Sequence, residues 1–506
     1  MKKTDRLFDL SKSLNKNEKG YFKKFSLAYS KKEDSNQYIK LFDAIDRQKE
    51  YDEDPLIEQL SKGNKKFNFS AAKNFLYDRV LTSMESYHAA RITTEIRSYL
   101  NQVELLMNKF LHGHAEKVLE KAEQQAEKYE LLELMPDILL RKLTIWKVRK
   151  FQGIEESRII ETTAKLNRSL KNIQDLAQVY QFQSHYDFNY TSKGAIADAA
   201  QLAEFREFVR SFEQSGLAES ESFPVQVGYL LLLNSMYLFS DEAEKAYKAN
   251  LLLLEMFEAD PNRSQHRQNN YHHTLARIIE SQTALGIYDD AAANLDKLKT
   301  GALPGANGML AFWNYYILLL EIMLLRASRD YKRLTDLIEG KADQYAVRLF
   351  ESRNYDIQLK LNVADIYFCM EENEKVADIL NEVLNNPKNG VRADFYCYSK
   401  LLLLLNYWEQ GDLNLLPYEL KSTRNFFETK LPATKTEKIL LKFIEKHQDS
   451  IVNSRSLVVP FKALKEEITE AFTDRMNKRI LDYIDVMLWI ESKIQRVKMT
   501  DVKTTP

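Results

Sequence analysis

The chain has 506 residues, 44% hydrophobic and 29% charged, with a formal net charge of −1. That length suits several ordinary domains or one elongated array, and the charge balance excludes a chain built as a whole to coat nucleic acid or an anionic membrane. Only 14 Gly and 10 Pro interrupt it, and no Val/Ile/Thr-rich alternating segments occur, so an all-α fold is expected.

Residues 1–94 read as an N-terminal helical region, basic at its start. Residues 1–32 hold ten Lys or Arg against Asp5, Asp9 and Glu18, a local balance of +7. The interleaved Leu7, Phe8, Leu10, Phe22 and Phe25 suggest helices docked by one face with lysines in solvent. The competing reading is contact with nucleic acid or anionic lipid. Asn15 stands three residues before Glu18, the pattern of a reciprocal helix cap. Asp5 and Asp9 break any apolar leader, and two cysteines, Cys369 and Cys397, are too few for a disulfide framework, so a cytoplasmic location is expected.

From 95 to 430 the sequence reads as a helical repeat array. In "ALGIYDDAAANLDKL", residues 284–298, Gly286 closes one helix in a left-handed turn and Asp289 and Asp290 begin the next, where the helix dipole favours acids. Leu275 and Ile278 precede this turn, while Ala291, Leu295 and Leu298 follow at helical spacing. Similar turns fall at Gly113, Gly153, Gly194, Ser240, Gly286, Arg329, Glu371 and Gly411, with spacings of 40, 41, 46, 46, 43, 42 and 40. With Tyr288, the positions Leu275, Ile278, Gly286, Ala291, Leu295 and Leu298 resemble the signature of a tetratricopeptide repeat (TPR). The resemblance implies an α-solenoid, a right-handed superhelix of degenerate hairpins; a HEAT-like array shares the period. Residues 431–498 are expected to form capping helices, one or two of them long, with Ile484, Met487, Leu488 and Ile494 on an apolar stripe. Residues 499–506 read as a disordered tail. The apolar run "YYILLLEIMLL" at 315–325 contains Glu321 and is too short to span a membrane, so it reads as a buried helix.

No phosphate loop, metal-binding helix or nucleophile elbow is found, so neither catalytic residues, nor a cofactor, nor metal ligands are assigned. His266, His272 and His273 share a segment without the acids or thiols that would complete a metal site. Cys369 and Cys397 read as small buried hydrophobes rather than a redox pair. The aromatic run "YQFQSHYDFNY" at 180–190 reads as inter-helix core rather than a base-stacking platform. The TPR resemblance implies a concave groove lined by His273, Arg277 and Glu280 from one unit and by Asn362 and Asp365 from another. The expected function is a non-enzymatic scaffold or adaptor that binds a protein or peptide along that groove. The alternative is a regulatory sensor whose basic N-terminal helices touch nucleic acid.

Overall fold

Helices stop in this chain by a recurring backbone device. At Gly286 the chain turns left-handed with φ 75°; Gly286 N–H donates to Thr283 O at 3.2 Å and Ile287 N–H to Gln282 O at 2.9 Å. Gly411, Arg329 and Glu371 repeat this pair of bonds with φ of 67°, 58° and 65°. Both bonds satisfy carbonyls that the helix end would otherwise leave without donors. The structure is a computed structural model that describes residues 5–28, 32–61, 68–87, 92–191, 198–240, 242–301, 307–340, 353–385, 392–448, 457–473 and 475–503. Among these the chain is all helical, with 25 α-helices and no strand. No helix among them is long and apolar enough to cross a membrane.

Other turns differ from the sequence expectation. Gly113 lies in the first turn of the helix His112–Lys128, and Phe110, with φ 59°, takes the left-handed position. Near Gly153 the helix stop is made by Lys150, with φ 51°, and Gly153 is itself left-handed, with φ 73°, at the end of the same turn. Ser240 ends its helix with an ordinary φ of −92°, and Gly194 lies outside the described residues. A left-handed L-residue costs about 1–2 kcal/mol. Glu371→Gly is therefore expected to raise stability by about 1 kcal/mol, read as a higher urea midpoint with unchanged slope.

Two units divide the molecule: Met1–Ile173 with Leu303–Trp313, and Gln174–Ala302 with Asn314–Pro506. The division falls inside the 31-residue helix Glu156–Tyr186 and so within the expected array. In the first unit, Leu7, Phe22, Phe42, Leu76 and Val80 build an N-terminal core. Asn15 caps the helix Lys16–Ala28 as expected: its Oδ1 accepts from Glu18 N at 3.0 Å, and Glu18 Oε2 accepts from Asn15 N at 2.9 Å. A further core holds Ile96, Leu119, Ile138 and Trp146, where Glu123 accepts from Lys142 at 2.7 Å and Lys165 at 2.6 Å.

In the second unit, neighbours in sequence are neighbours in space. The helix Phe223–Phe239 packs on Ala243–Glu258, which packs on Gln268–Ala284, which packs on Tyr288–Thr300. Arg353–Cys369 pairs with Asn373–Asn385, and that helix pairs with Ala393–Gln410. Leu275, Ile278, Ala291, Leu295 and Leu298 are all buried. The apolar run at 315–325 lies in Asn307–Ala327, its Leu318, Leu319 and Ile322 buried in a core that continues to Met499.

That continuity places residues 431–503 in the same unit as the hairpins before them. The expected long C-terminal helix is broken into Val458–Ala471, the short Arg475–Lys478, a 3-10 turn Arg479–Asp482 and Val486–Gln495. Asp485 restarts the helix by accepting from Leu488 N at 3.0 Å. Part of the expected tail is structured: Met499 is buried in the 3-10 turn Met499–Asp501, and Lys503 N–H donates to Gln495 Oε1 at 3.1 Å. Residues 504–506 lie outside the described residues.

Candidate functional site

The helix Gln268–Ala284 buries Leu275, Ile278, Ile279 and Gln282 on one face, the spacing that seats a helix on its neighbours. His273, Arg277 and Glu280 share another face and are half-buried. Arg277 Nη1 donates to Glu280 Oε2 at 2.7 Å, and Tyr316 OH donates to Glu280 Oε1 at 2.7 Å. The His273 and Tyr316 rings stand 6.3 Å apart. Burial, reinforced by the Arg277 charge, pushes His273 down to about 4, so its imidazole is neutral at pH 7. Burial is also the largest single influence on Arg277, but Glu280 and Tyr316 outweigh it and hold the guanidinium charged.

Arg277 nevertheless keeps 32% of its side-chain surface. Water therefore reaches the guanidinium even though its neighbours strongly desolvate it. Tyr186 belongs to the same locus. Burial raises its pKa most, and it feels the charges of Arg277 and Glu280 and, more weakly, of Arg392. Arg392 is 26% exposed and holds Asp394 by two bonds, from Nε at 3.2 Å and Nη2 at 2.5 Å.

Asn362 and Asp365 lie on Arg353–Cys369 and are placed otherwise. Asn362 is half-buried and turns its amide back to Gln358 O at 2.8 Å. Asp365 has no exposed surface, so no partner can touch it in this conformation. Arg326 stands 2.8 Å from its Oδ2, and its Oδ1 accepts from Asp485 N at 3.4 Å. The chain's own C-terminal segment packs over Asp365 and the start of Ala393–Gln410. Tyr483 donates to Asp394 at 2.6 Å and stacks on Tyr398 with ring centroids 4.2 Å apart. Arg479 Nε donates to Tyr398 OH at 2.7 Å.

His273, Arg277 and Glu280 thus share one helix face, and Tyr316 joins Glu280 there without any local signal in the sequence. Elsewhere the histidine segment is interrupted at Arg267: His266 ends the helix Pro261–His266, and His272 is buried with its Nδ1 2.6 Å from Gln268 O. Cys369 and Cys397 are free and buried; burial pushes the Cys397 thiol up to about 12. In the aromatic run, Tyr186 and Tyr190 are core residues, whereas Tyr180 is 60% and Phe188 is 68% exposed. Near the N-terminus, Lys19 pairs with Asp46 at 2.8 Å, Lys23 with Asp43 at 2.7 Å, and Arg6 donates to Asn74 at 2.6 Å. These pairings draw three of the basic groups away from phosphate binding. Comparison with known protein families finds no match, and comparison with curated proteins finds none either.

Proposed function

We propose that the chain is a non-enzymatic cytoplasmic scaffold, a TPR-like solenoid that binds a protein or peptide partner along a concave face. The observation that carries this reading is Arg277, desolvated by its neighbours yet 32% exposed, with Glu280, Tyr316 and Tyr186 acting on it and His273 on the same helix face. The recurring helix stops and the packing of successive helices support the repeat architecture. The unit around Arg277 is the open part of the face; the part around Asp365 is covered by residues 479–485. A partner therefore docks upstream of the cover, where neutral His273 and the Arg277–Glu280 pair offer donors and acceptors for a peptide backbone and its polar side chains.

The test is quantitative mass spectrometry of proteins captured from source-cell lysate by the intact chain and by the double variant Arg277→Glu, Glu280→Lys. The swap keeps an ion pair on the helix, so an unchanged melting curve is expected. A partner held by the intact chain and lost by the folded variant is the expected result. Equal capture by both places the binding face elsewhere, and no specific capture by either removes the scaffold reading.

A further inference from the structure

Beneath the C-terminal cover one guanidinium, Arg326, faces the buried carboxylate of Asp365, with a second acid, Asp485, nearby. Asp365, on Arg353–Cys369, has no exposed surface. Arg326, near the end of Asn307–Ala327 and 14% exposed, stands 2.8 Å from Asp365 Oδ2, but that oxygen lies in no hydrogen bond, so the attraction is Coulombic and poorly aligned. Asp365 Oδ1 receives only the long 3.4 Å bond from Asp485 N. The Asp485 side chain accepts from Leu488 N at the start of Val486–Gln495. The remaining ionisable neighbours are Tyr331, on Tyr331–Gly340, and Cys369, whose hydroxyl and thiol face one another. Asp365 is fully buried while Asp485 is only half-buried, so an ionised Asp365 holds its charge away from water beside a second acid and one guanidinium. A single proton removes that charge, and Asp365 has the oxygen free to take that proton.

We propose that Asp365 is a proton-operated clasp on the C-terminal cap: protonated, it lets the backbone at Asp485, the start of Val486–Gln495, seat firmly against Arg353–Cys369, and ionised, it loosens that seat. Burial pushes Asp365 up to about 6, with Asp485 adding to the rise and Arg326 opposing it. The folded pKa thus lies above the ordinary value of 3.8. For a carboxyl this means that ionisation opposes the folded cap. The cap gains stability as the pH falls from neutrality through about 6 toward the unfolded value, the reverse of a salt-bridged surface acid.

The experiment is hydrogen exchange of the full chain, read by mass spectrometry on peptides covering 479–495 and corrected for intrinsic rates. Protection there is expected to be roughly tenfold greater at about pH 5 than at about pH 7.5, while peptides from Ile92–Asn108 show no such change. Asp365→Asn is expected to abolish the difference. Asp485→Asn, which keeps both the Arg326–Asp365 pair and a good helix cap, is expected to move the midpoint to lower pH. An unaltered pH response in Asp365→Asn overturns the clasp. Should that variant not fold, an unshifted midpoint in Asp485→Asn overturns it instead.

Discussion

Replacing Arg479 by Met is expected to destabilise the second unit by about 3–5 kcal/mol. Arg479 is 2% exposed and ties three segments together. Its Nε donates to Tyr398 OH at 2.7 Å, its Nη2 donates to Pro432 O at 2.6 Å, and the same nitrogen stands 3.4 Å from Glu437 Oε2. Glu437 is fully buried and accepts from Tyr398 OH at 2.5 Å and from Thr434 N at 2.6 Å, the latter as part of a reciprocal helix cap. Without Arg479 the Glu437 charge stays in the interior with neutral donors only, and desolvation is then uncompensated. Methionine keeps most of the volume, so the loss is electrostatic rather than a cavity.

The control is the double variant Arg479→Met, Glu437→Gln. Removing both charges leaves no buried ion, so a sizeable part of the loss is recovered and urea denaturation yields a coupling energy of about 1–3 kcal/mol. Arg424 and Glu445 make a shorter, bidentate pair at 2.7 and 2.6 Å, but their side chains are 36% and 51% exposed. Water already solvates them, and Arg424→Met should cost no more than about 1 kcal/mol. Equal losses at the two sites would show that burial does not set the magnitude here.

What the sequence made legible follows from the range of each interaction. His273, Arg277 and Glu280 recur at i, i+4 and i+7 on one helix, so their shared face is written into local periodicity. Gly286 and Gly411 mark helix stops because only glycine turns left-handed cheaply. Phe110 and Lys150 make the same turn without a compositional mark, which is why Gly113 and Gly153 attracted the assignment. Tyr186 and Tyr316 act on the candidate site from distant segments, and nothing local announces it. Asp365 reads as a polar position on a helix face, but it is fully buried and is met by the backbone of Asp485, 120 residues later. Helical periodicity extends through the C-terminal stripe, but the chain turns at Arg479–Asp482 so that Arg479 and Tyr483 can meet buried acids, a tertiary gain that local propensity does not encode.

The other large effect expected is at Trp489. Its ring has no exposed surface and meets Phe461 edge-on at 5.1 Å and Trp408 at 6.5 Å, and its Nε1 donates to Glu409 Oε1 at 2.6 Å. Trp489→Ala removes the ring from the core and should cost about 3–5 kcal/mol. Trp489→Phe keeps most of the aromatic packing, and Glu409 retains its ion pair with Lys493, so a loss of about 1 kcal/mol is expected from the missing donor. Trp146 supplies the matching experiment in the first unit: it is 1% exposed, and its Nε1 donates to Glu116 Oε1 at 2.7 Å, beside an Arg149–Glu116 ion pair. The two tryptophans lie in separate hydrophobic cores. Stability losses from cavities stay within the cooperative unit that contains them. Trp489→Ala should therefore weaken hydrogen-exchange protection across 393–495 while leaving 96–146 protected, and Trp146→Ala should do the reverse. A uniform loss in both regions from either variant would mean that the chain unfolds as one cooperative unit, and that the division at Ile173 carries no energetic boundary.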